Sequence, residues 1–165
     1  MSYKLIPVRK EDWEKIRVWR NAQLDILRQD HEISKEEQQS YVRKYNRQRK
    51  KDKPDTILYS FLRGRDLVGY GGFVHTNKHG DVSAEISFLL NPRHKADLLS
   101  YTICWLMFLK LLRKESKKHN ICYWRSETFL RVNDPTRKIH VYILYSLFNA
   151  ATEIKDGIAY QGVKV

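Results

Sequence analysis

Several short segments of the chain combine β-branched and aromatic residues with alternating hydrophobic and polar positions. This period of two predicts β-strands. The predicted strands are "YKLIPV", "TILYSFLRG", "DLVGYGGFVHT", "DVSAEISFLL", "ICYWRSETF" and two short segments on either side of the tail turn "KDG". Because turn residues at "GR" and "NKHG" separate the second, third and fourth of these strands, we expect the three to form an antiparallel meander.

Helical spacing appears between the strands. Trp13, Ile16 and Trp19 follow it in the first predicted helix. A second helix is predicted to begin at Ser34, because Glu37 three residues later completes a capping box. The remaining two predicted helices are an apolar one over residues 97–112, with "RKESKKHN" as its polar exit, and "PTRKIHVYILYSLF", with Asp134 as its cap.

The order of the predicted elements is β, α, α, β, β, β, α, β, α, β, β. This order indicates an α+β protein with a mixed, mostly antiparallel sheet of about seven strands and helices on both faces. A chain of 165 residues is long enough for one well-buried core and too short for two ordinary domains. We therefore expect a single domain over residues 1–165.

The charge is strongly positive, with 31 Lys and Arg against 19 Asp and Glu, a net charge of +12. Such a field attracts polyanions such as nucleic acid, a nucleotide cofactor or a ribosome-associated target, although extra lysine also serves solubility. The basic residues concentrate in residues 43–53, before Pro54. This segment is either a phosphate or RNA contact or a solvated helix end, and nucleic acid is not favoured because Tyr45 is its lone aromatic residue.

The cysteine count and the N-terminus indicate a reducing cytoplasm. Cys104 and Cys122 are expected to be free thiols, and the first residues lack the apolar core of a signal peptide. The longest apolar run, residues 98–112, is shorter than the ~20 residues of a membrane span, so no membrane contact is expected. The histidines show no paired spacing, and we expect no metal site.

Four segments, taken in order, resemble the GNAT superfamily of acetyl-CoA-dependent N-acetyltransferases: "LIPVRKEDWEKIRVWRN", "ISKEEQQSYV", "LVGYGGF" and "AEISFLLNP". They are similar to the branch that includes the ribosomal-protein alanine acetyltransferases and the acetyltransferases of amino-sugar nucleotides. The resemblance covers nearly the whole chain. It implies the GNAT fold and acetyl-CoA as co-substrate.

The resemblance also implies a cofactor cleft. In this family two neighbouring parallel strands, here "AEISFLL" and "ICYWRSE", part so that the pantetheine arm of the cofactor lies between them. The amides of Phe88, Leu89 and Leu90 are then expected to bond the arm. Asn133 either bonds the arm as well or begins the turn before Pro135.

A turn after the first of these strands binds the pyrophosphate in the family, and "NPRHKADLLS" stands at that position. Lys95 falls where the family has a basic residue. Ala96, Leu98 and Ser100 fall where glycine or another small residue is usual, and Leu98 is bulky. The predicted contacts of the pyrophosphate are Arg93, His94, Lys95, Ala96, Asp97 and Leu98, with positive charge from the first three. The alternative is an ordinary helix start, with Asp97 near the positive end of the helix dipole.

For catalysis the resemblance implies a base and an acid. Glu85 is the predicted base, and by alternation it shares a face with Ser87 and Leu89. A symmetric "NKHG" hairpin would place Gly72 opposite Glu85 and leave open space beside the carboxylate. The alternative is a Glu on the solvent face of a strand.

Tyr142, with Tyr145 behind it, is the predicted acid, although a Tyr in an apolar helix often belongs to the core. Arg20 and Asn21 are expected either to shape the substrate site or to satisfy helix-end carbonyls.

The sequence thus predicts a cytoplasmic N-acetyltransferase that moves acetyl from acetyl-CoA directly to a primary amine. The amine is either an amino sugar linked to a nucleotide or a protein N-terminus. The alternatives are a catalytically inactive GNAT-like binding module, which would contact nucleic acid through residues 43–53, and a plain structural or interaction domain. A monomer and a homodimer both remain open.

Overall fold

The computed structural model describes residues 2–24, 27, 29–76, 78, 82–130 and 134–165. Seven strands form one sheet in the spatial order β1-β2-β3-β4-β5-β7-β6. The strands are β1 (Tyr3–Pro7), β2 (Ile57–Arg63), β3 (Asp66–Val74), β4 (Ser83–Leu90), β5 (Tyr123–Phe129), β6 (Ala151–Lys155) and β7 (Ile158–Lys164). Among these strands β4 and β5 pair in parallel, and all other neighbours are antiparallel. The predicted mixed sheet and the meander are confirmed.

The helices also follow the predicted order. They are α1 (Trp13–Asn21), α2 (Lys35–Gln48), α3 (Pro92–Lys95), α4 (Leu98–Lys118) and α5 (Pro135–Phe148). Two short elements were not predicted: α3 itself, and a 3₁₀ turn at Lys10–Asp12 that leads into α1.

The helices cover both faces of the sheet with separate clusters of apolar side chains. On the α1–α2 face, Trp13 and Tyr45 pack against Leu89 of β4. On the α4–α5 face, Trp105 of α4 and Trp124 of β5 are fully buried in one large cluster. Burying an apolar side chain of this size contributes at least about 2 kcal/mol, so these two faces hold the sheet in place.

Alternation along β4 fixes the direction of each of its side chains. Ala84 and Leu90 belong to the cluster on the α4–α5 face, and Leu89 belongs to the cluster on the α1–α2 face. Because successive side chains of a strand point to opposite faces, Glu85 and Ser87 share the α1–α2 face with Leu89. This confirms the predicted orientation of Glu85.

Two predicted helix starts are confirmed. The Ser34 hydroxyl accepts a hydrogen bond from the Glu37 amide at 3.1 Å, and the Glu37 carboxylate accepts one from the Ser34 amide at 2.7 Å. Asp134 caps α5, accepting from the Thr136 amide at 2.9 Å. Each cap satisfies an amide that has no partner within its own helix, which stabilises that end by about 1 kcal/mol.

The predicted end of α4 is wrong, because the helix continues to Lys118 instead of ending at Leu112. The buried Ser116 explains the extension. Its hydroxyl accepts from the Trp124 indole at 2.8 Å and donates to the Leu112 carbonyl at 3.1 Å. The polar segment that was predicted as an exit therefore carries a buried link from α4 to β5.

Both cysteines are free thiols, with Cys104 buried and Cys122 exposed. Within the described residues, no helix combines the length and the apolar character that crossing a bilayer requires. The same residues contain no group of three or more His, Cys, Asp or Glu side chains placed to hold a metal ion.

Candidate active site

The strands β4 and β5 part midway along their length. They pair at three positions, the last of which joins Glu85 to Arg125. Beyond that pair, residues 86–90 continue beside β3 and residues 126–129 continue beside β7, with no described pairing between the two sets. The predicted separation of these two strands is therefore present, and we call the space between them the gap.

Aromatic side chains line the α4–α5 side of the gap. The Phe88 ring lies 4.8 Å from that of Trp105 and 4.7 Å from that of Phe108, measured between ring centroids. His140 of α5 stacks on Trp105 at 3.9 Å, and its Nδ1 lies 3.2 Å from the Tyr101 hydroxyl. These contacts fix α4 and α5 to each other behind β4.

His140 is uncharged at neutral pH. Burial, together with the nearby Arg137, lowers the pKa of His140 to about 3. A charged imidazolium at this position would lose its hydration without gaining a carboxylate partner in the described structure, so the neutral form is strongly favoured.

A pocket of about 340 Å³ opens beside Glu85. Because Trp124 points to the α4–α5 face, its neighbour Arg125 points to the opposite face, as Glu85 does. The pocket continues from these two residues across β7 to Glu153 of β6. One end of the pocket therefore lies where the gap begins.

Carboxylates dominate the charge of this pocket. Among the described residues that line it, Glu85, Glu127 and Glu153 are acidic and Arg125 is basic. The Glu85 side chain is largely buried, 12% exposed, and its carboxylate lies 3.8 Å from Lys78 Nζ and 3.9 Å from His75 Nε2. In a chain with a net charge of +12, this is an acidic pocket.

The remaining shape of the pocket comes from an aromatic ring and a glycine. The Arg125 guanidinium carbon lies 5.3 Å from the centre of the Tyr123 ring. Gly162 is the partner of Arg125 on β7, and a Cβ atom there would overlap the Tyr123 hydroxyl. Glycine at this position allows the ring to lie across β7.

The expectation that Gly72 faces Glu85 is wrong. Val74 pairs with Glu85, and Gly72 pairs with Ser87. The register is shifted by two residues from the symmetric pairing, and His75, directly after β3, adopts a left-handed φ of 54°. A side chain at Gly72 would instead collide with the backbone of β2, so the space beside Glu85 lies on its β5 side.

Asp97 caps the start of α4. Its carboxylate accepts hydrogen bonds from the Leu99 amide at 3.1 Å and the Ser100 amide at 3.2 Å. Leu98 and Leu99 are 43% and 68% exposed at this first turn, so neither side chain belongs to the buried core. Asp97 is therefore the N-cap of α4, and the predicted pyrophosphate contacts of this stretch stay a prediction.

Lys95 has a partner within the chain. Its Nζ lies 2.8 Å from the Asp134 carboxylate, which ties the turn after β4 to the start of α5. Burial disfavours the ionised form of Asp134, but hydrogen bonds from Lys95 and Thr136 outweigh this effect and lower its pKa. Lys95 and Asp134 therefore form a charged pair across the outer end of the gap.

Burial, with the nearby Arg63, lowers the pKa of His94, which disfavours the positive charge that was predicted for it. Its Nδ1 lies 3.0 Å from the Ser100 hydroxyl. Of the three basic residues in the turn, Arg93 is the exposed cation, and Ala96 beside them is exposed as well.

At the end of β4 the Leu90 carbonyl accepts a hydrogen bond from the Gln23 side chain at 3.0 Å. Gln23 is buried and also donates to the Trp19 carbonyl at 3.1 Å. Contacts of Phe88, Leu89 and Leu90 with a cofactor arm stay a prediction. Asn133, predicted to join them, lies outside the described residues.

The two predicted acids are exposed side chains of α5. Tyr142 and Tyr145 are 67% and 61% exposed on α5, whereas Ile143 and Leu144 face the core. Neither tyrosine is among the described residues that line the pocket beside Glu85. Their roles as acids stay predictions.

Of the two predicted substrate residues, Asn21 has a clear structural task. Its side chain donates to the Ile33 carbonyl at 3.0 Å and accepts from the Ile33 amide at 2.9 Å. It thereby ties the end of α1 to the chain just before α2. Burial raises the pKa values of Tyr41 and Tyr70, and the positive charge of the nearby Arg20 partly offsets this rise.

Sequence reasoning missed the residues of the pocket other than Glu85. The alternation of "YWRSETF" places Tyr123, Arg125 and Glu127 on one face, and this signal was available. Their position beside Glu85 depends on the parallel register of β4 and β5, which no local pattern encodes. Glu153 joins them because β6 pairs with β7 at the edge of the sheet.

No protein-family model matches the sequence, and no curated protein is significantly similar to it. Solved structures do match its fold. The ribosomal-protein-alanine N-acetyltransferase from Brucella melitensis aligns with a TM-score of 0.67 at 12% identity, over 98% of this chain and 99% of that one. The Campylobacter jejuni N-acetyltransferase PseH, solved with acetyl coenzyme A, aligns with a TM-score of 0.64 at 15% identity, over 99% of both chains.

A domain from Methanocaldococcus jannaschii aligns with a TM-score of 0.69 at 13% identity, again over 99% of both chains. The GNAT domain of a Streptomyces lividans protein aligns with a TM-score of 0.63 at 12% identity, over 98% of this chain and 89% of that one. At such low identities the likeness establishes the architecture alone. The chain has the GNAT fold.

Proposed function

We propose that the protein is an acyltransferase that moves an acetyl group from a thioester to a primary amine. The observation that carries this proposal is the parting of β4 and β5 at the Glu85–Arg125 pair. It opens a gap for an extended thioester arm, and it does so beside a largely buried carboxylate in a pocket. Solved acetyltransferases of the same fold support the proposal, among them PseH with acetyl coenzyme A.

The residues present fit only one part of acetyl coenzyme A. The gap suits the pantetheine arm, which can lie along the unpaired edges of β4 and β5. The start of α4 does not suit the diphosphate, because Asp97 already accepts from its amides. When bound, the donor supplies a thioester carbon for attack and a thiolate as leaving group.

Glu85 serves as general base in this proposal. It accepts a proton from the acceptor ammonium, whose neutral nitrogen then forms the new C–N bond as the C–S bond breaks. The attacking nitrogen then loses a second proton, which goes to the leaving sulfur, so an amine and a thioester give an amide and a thiol. General bases of this kind contribute about 10²–10⁴-fold to a rate.

The charge of the pocket favours a cationic acceptor. A nucleotide-linked amino sugar brings phosphates that would face Glu127 and Glu153, and like charges at short range repel. A diamine, or a peptide N-terminus followed by a basic residue, brings a second positive charge that these carboxylates attract. We propose this class of amine over the nucleotide-linked one.

The test is a thiol-release assay with three acceptors: a diamine, a peptide with a basic second residue, and a nucleotide-linked amino sugar. We expect kcat/KM for the better cationic amine to exceed that for the sugar by at least about tenfold, roughly the effect of one unfavourable charge contact. A sugar preferred over both cations would contradict the acceptor class. Transfer to none of the three would contradict the enzyme.

One observation favours a second candidate function, a binding domain without catalysis. The capped start of α4 is what such a domain would show. The cations that precede and follow Tyr45 are exposed, but Tyr45 itself is 5% exposed and cannot stack on a base. This function predicts no transfer from any thioester, together with RNA binding that weakens steeply as salt rises.

A further inference from the structure

The backbone amides around the start of α4 are almost all engaged. Within the turn, the His94 and Lys95 amides donate to the Asn91 carbonyl, and the Ala96 amide donates to the Pro92 carbonyl. In the first turn of α4, the Leu99 and Ser100 amides donate to the Asp97 carboxylate, and the Tyr101 amide donates to the Asp97 carbonyl. A diphosphate is held at a helix start by amides that point at it with free hydrogens. Here those hydrogens point at acceptors of the protein.

The charges at this turn also oppose a diphosphate. Asp97 is exposed, and it lies on the axis end where a phosphate would have to approach. Lys95 is paired with Asp134, and burial lowers the pKa of His94, which disfavours its charged form. To bind these amides, a diphosphate would have to displace the Asp97 carboxylate. To gain the charge of Lys95, it would also have to break the ion pair between Lys95 and Asp134.

The gap carries fewer obstacles of this kind. No described residue of β5 pairs with residues 86–90 of β4, although the Leu90 carbonyl at the end of that strand is engaged by Gln23. The two strand edges before Leu90 thus offer main-chain groups to an amide-containing arm, whereas the turn beyond them offers few to a phosphate. The gap therefore suits the pantetheine arm of a nucleotide thioester, whereas the turn at its outer end does not suit the diphosphate.

From this contrast we infer that the protein recognises its donor through the pantetheine arm alone and leaves any attached nucleotide diphosphate in solvent. The donor class is thus an acyl-pantetheine thioester, with or without a nucleotide. The inference rests on the proposed function, since it concerns the donor of that reaction. The amine nitrogen takes the acyl carbon from sulfur, and pantetheine is released as its free thiol.

The experiment compares acetyl coenzyme A with S-acetylpantetheine, which carries the same thioester without the nucleotide. We expect the two values of kcat/KM to agree within about threefold, because one missing phosphate contact of ordinary strength would separate them by tenfold or more. Calorimetry with the two free thiols gives the same comparison without turnover. There we expect dissociation constants within about threefold, with little dependence on salt.

Substitution of the cap sharpens the comparison. Asp97→Gly removes the carboxylate and frees two amides, so we expect the preference for coenzyme A over pantetheine to rise by about tenfold. Ser34→Gly is the matched control, because it removes the cap of α2, far along the chain, and should leave the preference unchanged. If Asp97→Gly fails to fold, Asp97→Asn keeps a capping side chain without the charge and should raise the preference by a smaller factor.

The outcomes separate this inference from the proposed function. Failure of both thioesters to acetylate any amine would refute the proposed function, while the calorimetry would still test the grip on the donor. Coenzyme A binding more than tenfold tighter than pantetheine would overturn the inference even in an active enzyme. Binding of neither thiol would also overturn it, because the arm would then not be held.

Discussion

The two ends of the gap between β4 and β5 differ in what they leave open. At the inner end, Glu85 and Arg125 border a pocket shaped by a glycine. At the outer end, the turn leading into α4 satisfies its own amides and pairs Lys95 with Asp134. The difference teaches that two short stretches of chain, one at each end of the gap, decide separately which polar groups stay available to a ligand.

The largest expected effect belongs to the inner end. Glu85→Gln keeps the size of the side chain but removes the base, and we expect kcat to fall by about 10²–10³-fold with little change in KM. The measurement is steady-state kinetics with the better acceptor. Glu14→Gln, on the exposed face of α1, is the control and should leave kcat unchanged. Full kcat in Glu85→Gln would remove Glu85 from the mechanism.

The next effect concerns His140, behind the gap. Its pKa of about 3 lies below the ordinary value of 6.5, so the unfolded chain binds the extra proton first as pH falls. Stability is therefore present above pH 6.5 and is lost toward pH 3, by about 3 kcal/mol between pH 7 and pH 4. Denaturant unfolding at several pH values should show a shallower acid loss in His140→Gln than in the wild type. Equal slopes would mean that His140 is not buried as a neutral ring.

A smaller effect is expected at Gly162. In Gly162→Ala the new methyl group must displace the Tyr123 hydroxyl, which we expect to cost about 1 kcal/mol of stability and to raise the acceptor KM several-fold. Chemical denaturation and kinetics measure the two quantities. Tyr123→Phe in the same chain should restore part of both, because it removes the nearest overlapping atom and leaves the ring carbon Cζ, which is also close. No change in KM would place the acceptor elsewhere.

The smallest effect is expected at the outer end. Lys95→Met should change the affinity for acetyl coenzyme A by less than about twofold, whereas loss of a lysine that held a phosphate would cost tenfold or more. The same variant should lose roughly 1 kcal/mol of stability, since Asp134 loses its partner in a partly buried position. Lys95→Arg keeps the pair and serves as the control. A large loss of affinity in Lys95→Met but not in Lys95→Arg would show that Lys95 does bind the diphosphate.

Local signals in the sequence predicted most of the fold. The capping box at Ser34, the cap at Asp134 and the two-residue period of the meander are features of neighbouring residues, and each appears as expected. The end of α4 was missed because its polar last turns are stabilised by the buried contact of Ser116 with Trp124, which depends on tertiary structure.

The candidate site was predictable only in part, for the same reason. Alternation along β4 predicted the face on which Glu85 lies. It could not predict the register of β3 against β4, in which Val74 and not Gly72 is the partner of Glu85. Parallel register then decided that Arg125 lies beside Glu85. The absence of glycine in the turn before α4 was visible in the sequence. The role of Asp97 as a cap depends on its extended backbone and on where its carboxylate lies, which the sequence does not show.

The three residue pairs that join β4 to β5 form the shortest junction in the described sheet. Every other pair of neighbouring strands is joined over five or more positions. A motion that widens this junction therefore breaks fewer hydrogen bonds than one at any other line of the sheet. If the sheet opens along this line, hydrogen exchange there should be faster than at the amides that join β2 to β3, which pair over seven positions.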